Sequence, residues 1–288
     1  MKHALSLFLL LMLLLCFAAP MLCMAEDAAQ AEETMPYSRV ITIPGAGEWQ
    51  YYAQNDPRWN KSYYEPYEHE QFRRFGEGGC GPTALAIAVA NQLSPEELTH
   101  LVEHKNRFQI GFYYCPCSVN HFHCYEGHER MLIETPEDFL DKLPLVFAGY
   151  ATGNNDDKRK YRTTGDGTSL TMFQMLAADY DLEYVGTNDW EEAKQALRDG
   201  YSIITTVVKG VFTPTSHYMV LAHVEDGWVY VLDPYMQTTY DRDINGRLEV
   251  LEPGLVRFRE EDMWIVGLYG FYMIRKPQAA PAPVSEMP

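Results

Sequence analysis

The apolar positions of this chain change character partway along. From Gly81 to Gln92 small and branched apolar residues (Ala84, Leu85, Ile87, Ala88, Val89) run almost without a polar break, as in a helix buried on every side. Ser94-Pro95-Glu96-Glu97 then reads as a new helix start, with a hydroxyl cap, a proline in the first turn and acids at the positive end of the dipole. Ser169 to Tyr180 and Asp189 to Leu197 predict two further helices, the second stopped by Arg198-Asp199-Gly200. Beyond Gly200 the segments become short and β-branched or aromatic: Tyr201 to Val208, Tyr218 to Val224, Trp228 to Leu232, Leu248 to Leu251, Val256 to Arg259 and Leu268 to Ile274. Asp226-Gly227, Asn245-Gly246 and Pro253-Gly254 separate them as turns. Helices first and an antiparallel sheet second predict an α+β fold without internal repeats. The middle, 107–167, has weak periodicity and several turn signals, and reads as an insertion of loops and short helices.

The two ends differ from this pattern. Lys2 and His3, the apolar run from Leu5 to Phe17, and the small residues Ala18, Ala19 and Ala25 have the layout of a secretory signal peptide cut near Ala25. Pro20 breaks the run, which is short for a bilayer span, so a cleaved leader is favoured over an anchor. Neither Cys16 nor Cys23 follows the small residue that lipid attachment wants. Residues 26–45 begin acidic and Ala-rich and are expected to be a disordered linker, and 277–288 a disordered tail. One domain, 46–276, is expected between them. Lys and Arg number 23 against 40 Asp and Glu, a net charge of −17. That balance argues against nucleic acid or anionic lipid as a partner and suits an exported, soluble monomer that does not stay in the membrane.

The candidate chemistry begins at Gly76-Glu77-Gly78-Gly79-Cys80-Gly81-Pro82. A thiol reacts as thiolate, and a helix N-terminus favours the anion through its unpaired N–H groups and dipole. Glycines beside it permit a sharp turn and a close substrate approach. The same stretch would also start an ordinary helix on a small buried residue, since cysteine often packs so. A nucleophile needs a base and the base an orienting group. His217 opens one predicted strand and Asp233 ends the next, across the turn at Glu225-Asp226-Gly227, and antiparallel pairing makes such ends neighbours. His223, of the same parity as His217, reads as a packing or surface histidine with a small claim to be the base.

Gln54 with Asn55-Asp56-Pro57-Arg58-Trp59, Gly79 to Ala86, His217-Tyr218 with Val220-Leu221, and Val229 to Pro234 together resemble the C39-like group of papain-type cysteine peptidases. Order and setting match from about Tyr51 to Ile274. The resemblance implies a papain-like fold, with a helical half carrying Cys80 and an antiparallel sheet carrying His217 and Asp233. It implies Cys80 as nucleophile, His217 as general base and acid, and Asp233 as the group orienting the imidazole. It also implies that the Gln54 amide joins the Cys80 backbone N–H as oxyanion hole; taken alone, Gln54 is an ordinary loop glutamine. Asp56, Arg58 and Trp59 read as scaffolding that would pin this segment and so position Gln54. C39 proteases proper cut leader peptides while fused to a transporter. No further membrane span or nucleotide-binding motif appears in this sequence, so leader processing is not carried over.

The middle segment also contains Cys115, Cys117, His121, His123, Cys124 and His128. Export favours disulfides, yet three cysteines are an odd count. Three readings stay open: a structural zinc held by the thiolates and one histidine, a single bridge to Cys124, or neither. Catalysis itself calls for no cofactor. The expected activity is secreted thiol hydrolysis of a peptide or protein substrate; deamidation or acyl transfer through the same thioester, and a silent binding module, are the competing readings.

Overall fold

The computed structural model describes residues 36–60, 75–99, 112–114, 129–131, 136–152, 162–163, 167–240 and 245–278. The predicted leader, the acidic stretch as far as 35, the cysteine–histidine cluster and nearly all of the tail lie outside the described residues.

The chain enters through a hairpin, β1 (Arg39–Ile43) and β2 (Gly47–Tyr51), in antiparallel register. This differs from the expected linker: Ile41 and Ile43 point inward and are buried while Val40 and Thr42 face out, so the alternation of a half-buried strand was present in five residues. A single turn, α1 (Phe75–Gly78), leads into α2 (Cys80–Ala90), which is buried at every residue from Gly81 to Val89. Ser94 and Glu97 exchange hydrogen bonds as a capping box where the chain turns helical again at 95–99.

Through the middle run short pieces: β3 (Phe112–Tyr114) paired with β4 (Glu129–Met131), α3 (Pro136–Asp141), and β5 (Arg162–Thr163) paired with β6 (Gly167–Thr168). Between them lies α4 (Leu143–Thr152), whose Leu143, Leu145, Val146, Phe147 and Ala148 are fully buried in the cluster that encloses α2. This part of the expected insertion is therefore core. Its apolar residues occupy every side of the helix, so no periodicity marks it.

Helices α5 (Leu170–Asp179) and α6 (Trp190–Arg198) are capped by Ser169 and Asp189, as the sequence predicts. The strands are β7 (Glu183–Thr187), β8 (Ser202–Val207), β9 (His217–Glu225), β10 (Trp228–Leu232), β11 (Leu248–Glu252), β12 (Leu255–Arg259) and β13 (Leu268–Arg275). They form one antiparallel sheet in the order β11-β12-β10-β9-β8-β13-β7. A turn with positive φ at Asp226 and Gly227 joins β9 to β10. On one face Ile204, Val220, Ala222, Tyr230 and Leu232 pack with α2, α4, α5 and the N-terminal hairpin. On the other Ile203, Met219, Leu221, Val229 and Val231 pack with α6 and the short helix α7 (Met263–Val266). Helices thus cover both faces of the sheet rather than forming a separate half.

Strand β9 is interrupted. Its pairing with β10 shifts register between Tyr230 and Val231, so Ala222 is the extra residue. The bulge reverses the alternation beyond it: Met219 and Leu221 face the α6 side, and so does Val224. His223 therefore lies opposite to His217 in facing, beside Tyr230 with ring centroids 6.0 Å apart, and the shared parity expected from the sequence does not hold.

Candidate active site

Cys80 is the first residue of α2, half-buried, behind Gly79 as cap. Gly81 admits no side chain: a Cβ there would stand 2.1 Å from the Thr168 hydroxyl, so β6 seats directly on the helix start. The Cys80 sulfur is hydrogen-bonded to the His217 side chain and to the backbone N–H groups of Tyr218 and Gly81. His217 opens β9 opposite Val207 of β8 and is 8% exposed. Its Nε2 lies 2.7 Å from Oδ1 of Asp233, which follows the last residue of β10. With Nε2 committed, Nδ1 is the ring nitrogen left to meet the sulfur.

The two titrating groups are displaced in opposite directions. Burial alone would push the Cys80 thiol up, but the hydrogen bond and charge of His217, then the N–H groups of Tyr218 and Gly81, hold it below its ordinary 9.0. Burial likewise pushes the His217 ring down, and the Asp233 carboxylate, with the Cys80 sulfur behind it, overrides this and raises it from 6.5 to about 10. Both shifts favour thiolate beside imidazolium over the neutral pair.

Asp233 is fully buried and hydrogen-bonded at the side chain and the backbone alike. Oδ1 also accepts the Tyr235 backbone N–H at 2.8 Å, and Oδ2 accepts the Tyr240 hydroxyl at 2.8 Å. The Asp233 N–H donates to the Gly254 carbonyl at 2.8 Å, and its carbonyl accepts the Tyr51 hydroxyl at 2.7 Å. Gly254 has φ +88°, and a Cβ on it would stand 2.4 Å from the Tyr51 ring, so this turn can take no other residue without displacing Tyr51. The hairpin strand β2 thereby reaches the end of β10.

Gln54, 3% exposed, links the two sides of this arrangement. Its backbone N–H donates to the Pro234 carbonyl at 2.7 Å, beside Asp233, and its Nε2 donates to the Gly76 carbonyl at 2.8 Å, just ahead of Cys80. The amide keeps a second Nε2 proton, while Oε1 is buried without a hydrogen-bond partner among the described residues. Cys80, His217 and Asp233 thus form one hydrogen-bonded line, and Gln54 is tied to the backbone at its two ends rather than to those side chains. The segment around Gln54 is pinned as its composition suggested. Trp59 is fully buried and donates Nε1–H to the Ala53 carbonyl at 3.0 Å. Arg58 grips buried Asp56 through Nε and Nη2 and lies over the Trp59 ring.

Sequence reasoning does not find Tyr240 or Tyr51. Tyr240 sits in a polar stretch with no motif around it, and Tyr51 contacts Asp233 only through the fold. The cysteine–histidine set Cys115, Cys117, His121, His123 and Cys124 lies outside the described residues, and no group of three metal-ligating side chains occurs among those described.

A family model described as "Peptidase_C39 like family" matches residues 48–252. Among solved structures the chain is similar to the peptidase domain of Streptococcus ComA, described as a bi-functional ABC transporter involved in a quorum sensing pathway. The identity is 13%, over 76% of this chain and 99% of that one, with a TM-score of 0.33. No curated protein matches the chain.

Proposed function

The chain belongs to the Peptidase_C39 like family, and on that premise we propose that it is a cysteine peptidase acting through a Cys80 thioester. The observation that carries the reading is the line from Asp233 Oδ1 to His217 Nε2, at 2.7 Å, and on from the same ring to the Cys80 sulfur.

In this reading the Cys80 thiolate attacks the carbonyl carbon of a peptide bond. The electrons displaced onto the carbonyl oxygen are met by backbone N–H at the start of α2 and by the free Nε2 proton of Gln54. As the tetrahedral centre collapses, the His217 imidazolium gives its proton to the leaving nitrogen, the C–N bond breaks and the amine departs. The thioester that remains is opened by water, from which neutral His217 takes a proton. Carboxylate product leaves, and the thiolate–imidazolium pair is restored. Asp233 holds the ring in one orientation throughout, as the orienting acid of a catalytic triad does. All the chemistry is supplied by side chains and backbone, and peptide or protein is the substrate class. We also propose that the protein is exported after loss of residues 1–25; N-terminal sequencing of the exported chain tests that point.

The experiment is a pair of measurements on the chain without residues 1–25, which keeps four of the six cysteines. An iodoacetamide probe is expected to label Cys80 faster than Cys115, Cys117 or Cys124, with labelling already rapid below the ordinary thiol range. A peptide library with electrophilic ends is expected to trap Cys80 covalently and report the preferred sequence. Equal labelling of all four thiols, appearing only on unfolding, would overturn the reading. Mass analysis of products separates a new chain terminus, the expected outcome, from deamidation at glutamine.

A further inference from the structure

Asp233 has two carboxylate oxygens, and the line just described uses one. The other, Oδ2, accepts the Tyr240 hydroxyl at 2.8 Å, in a place where the aspartate itself is fully buried. The Tyr240 ring is held edge-on by Phe212, at 5.5 Å between centroids and 86° between planes, and Phe212 packs in turn on fully buried Phe258. This hydroxyl is therefore aimed by packing rather than by chance of a surface side chain.

We propose that Tyr240 is a positioning residue for the hydrolysis: by donating to Oδ2 it sets how strongly the Asp233 carboxylate holds the His217 ring. The proposal rests on the peptidase reading above. A phenol that donates to a carboxylate draws negative charge toward itself and lessens the pull on whatever shares the other oxygen. The imidazolium must be stable enough to form beside the thiolate, yet able to surrender its proton to the leaving amine. Tyr240 moves that balance toward release. Burial and the nearby Asp233 charge keep its own hydroxyl protonated, and thus a donor, far above neutral pH.

The other groups facing Asp233 are His217 from β9, with Cys80 behind it, and Tyr51 from β2, whose own surroundings include Arg39 and Glu252. Gln237 also bonds the Tyr240 hydroxyl. Tyr51 provides the internal contrast. It donates at 2.7 Å to the Asp233 backbone carbonyl, so it fixes the residue's place without touching the carboxylate.

The test reads the pH profile of Cys80 alkylation in the full-length protein, which needs no substrate. Its upper inflection marks loss of the His217 proton. Tyr240→Phe is expected to raise that inflection by about half a pH unit to one unit, and to slow peptide turnover a few-fold in kcat with KM unchanged. A ring-fluorinated tyrosine at the same position, a stronger donor of nearly the same shape, is expected to lower it. In an Asp233→Asn background, Tyr240→Phe is expected to shift nothing further, because the charge it acts through is gone. Tyr51→Phe is expected to lower the melting temperature and leave the inflection in place. An inflection that stays put or falls in Tyr240→Phe, or a shift that persists without the Asp233 carboxylate, overturns the proposal. Should Tyr240→Phe not fold, the fluorinated protein decides the matter through the sign of its shift: a fall supports the proposal, and a rise or no change overturns it. A wild-type profile lacking an early-forming thiolate would instead sink the peptidase reading itself, a separate result.

Discussion

Strand β9 carries His217 at its start and His223 near its turn, and the two ends of this one strand treat the same side chain differently. At the start, the ring has a buried carboxylate 2.7 Å from one nitrogen and a thiol bonded to the ring from the other side. Near the turn, the Nε2 of His223 is buried without a hydrogen-bond partner among the described residues and stands 4.0 Å from the Glu225 carboxylate. Glu225 is half open to water, whereas Asp233 is sealed and held by hydrogen bonds from His217, Tyr235, Tyr240 and Tyr51. A buried ring nitrogen is thus shared by both ends and decides little. A fixed carboxylate at one nitrogen and a thiolate-forming sulfur at the other make the difference.

The sharpest way to break this contrast is at His217 itself. His217→Gln is expected to cut peptide turnover by about 10⁴-fold or more, as loss of a triad base does, without unfolding the chain. Survival of more than a few per cent of turnover would move the base elsewhere. Asp233→Asn comes next, with a loss on the order of 10²- to 10⁴-fold and an alkaline limb that falls toward ordinary histidine values. Gln54→Ala should cost about 10²- to 10³-fold in kcat if its free amide proton meets the oxyanion. A smaller effect with unchanged alkylation of Cys80 would leave Gln54 as a strut between Gly76 and Pro234.

Stability should also carry the mark of His217. Its pKa is raised on folding, so the stability it contributes is complete below its unfolded value near 6.5 and is lost as pH climbs toward about 10. Chemical denaturation across that window checks the slope, and His217→Gln should flatten it. Last and smallest, His223→Gln should leave turnover and the alkylation profile unchanged. A large loss there would mean that the two ends of β9 are coupled.

Much of this contrast could be read from the sequence, and what could not has a physical reason. The hairpin that joins His217 to Asp233 was legible because Asp226-Gly227 accepts positive φ at both turn positions, and the strand ends follow from antiparallel pairing. The start of α2 was legible from its glycines and its unbroken apolar run. The bulge at Ala222 left no trace, since a bulge depends on register with β10, so the facing of His223 was lost with it. Helix α4 was hidden by being apolar all round, and β1 by following an acidic stretch that its five residues could not outweigh. Gln54 needed the family pattern. Tyr240 has no local signal at all: what matters is the oxygen it reaches, and only tertiary structure brings them together.

The family match stops short of the fold at both ends, and this bears on where the gene can be trimmed. Residues 48–252 include Cys80, His217, Asp233 and Gln54, yet they omit β1, β12 and β13. Strand β13 runs between β8 and β7 and buries Phe271 and Ile274 completely, so its removal would split the sheet. A recombinant fragment intended to keep its shape should begin ahead of Arg39 and end after Arg275, whatever the boundaries of the sequence signature.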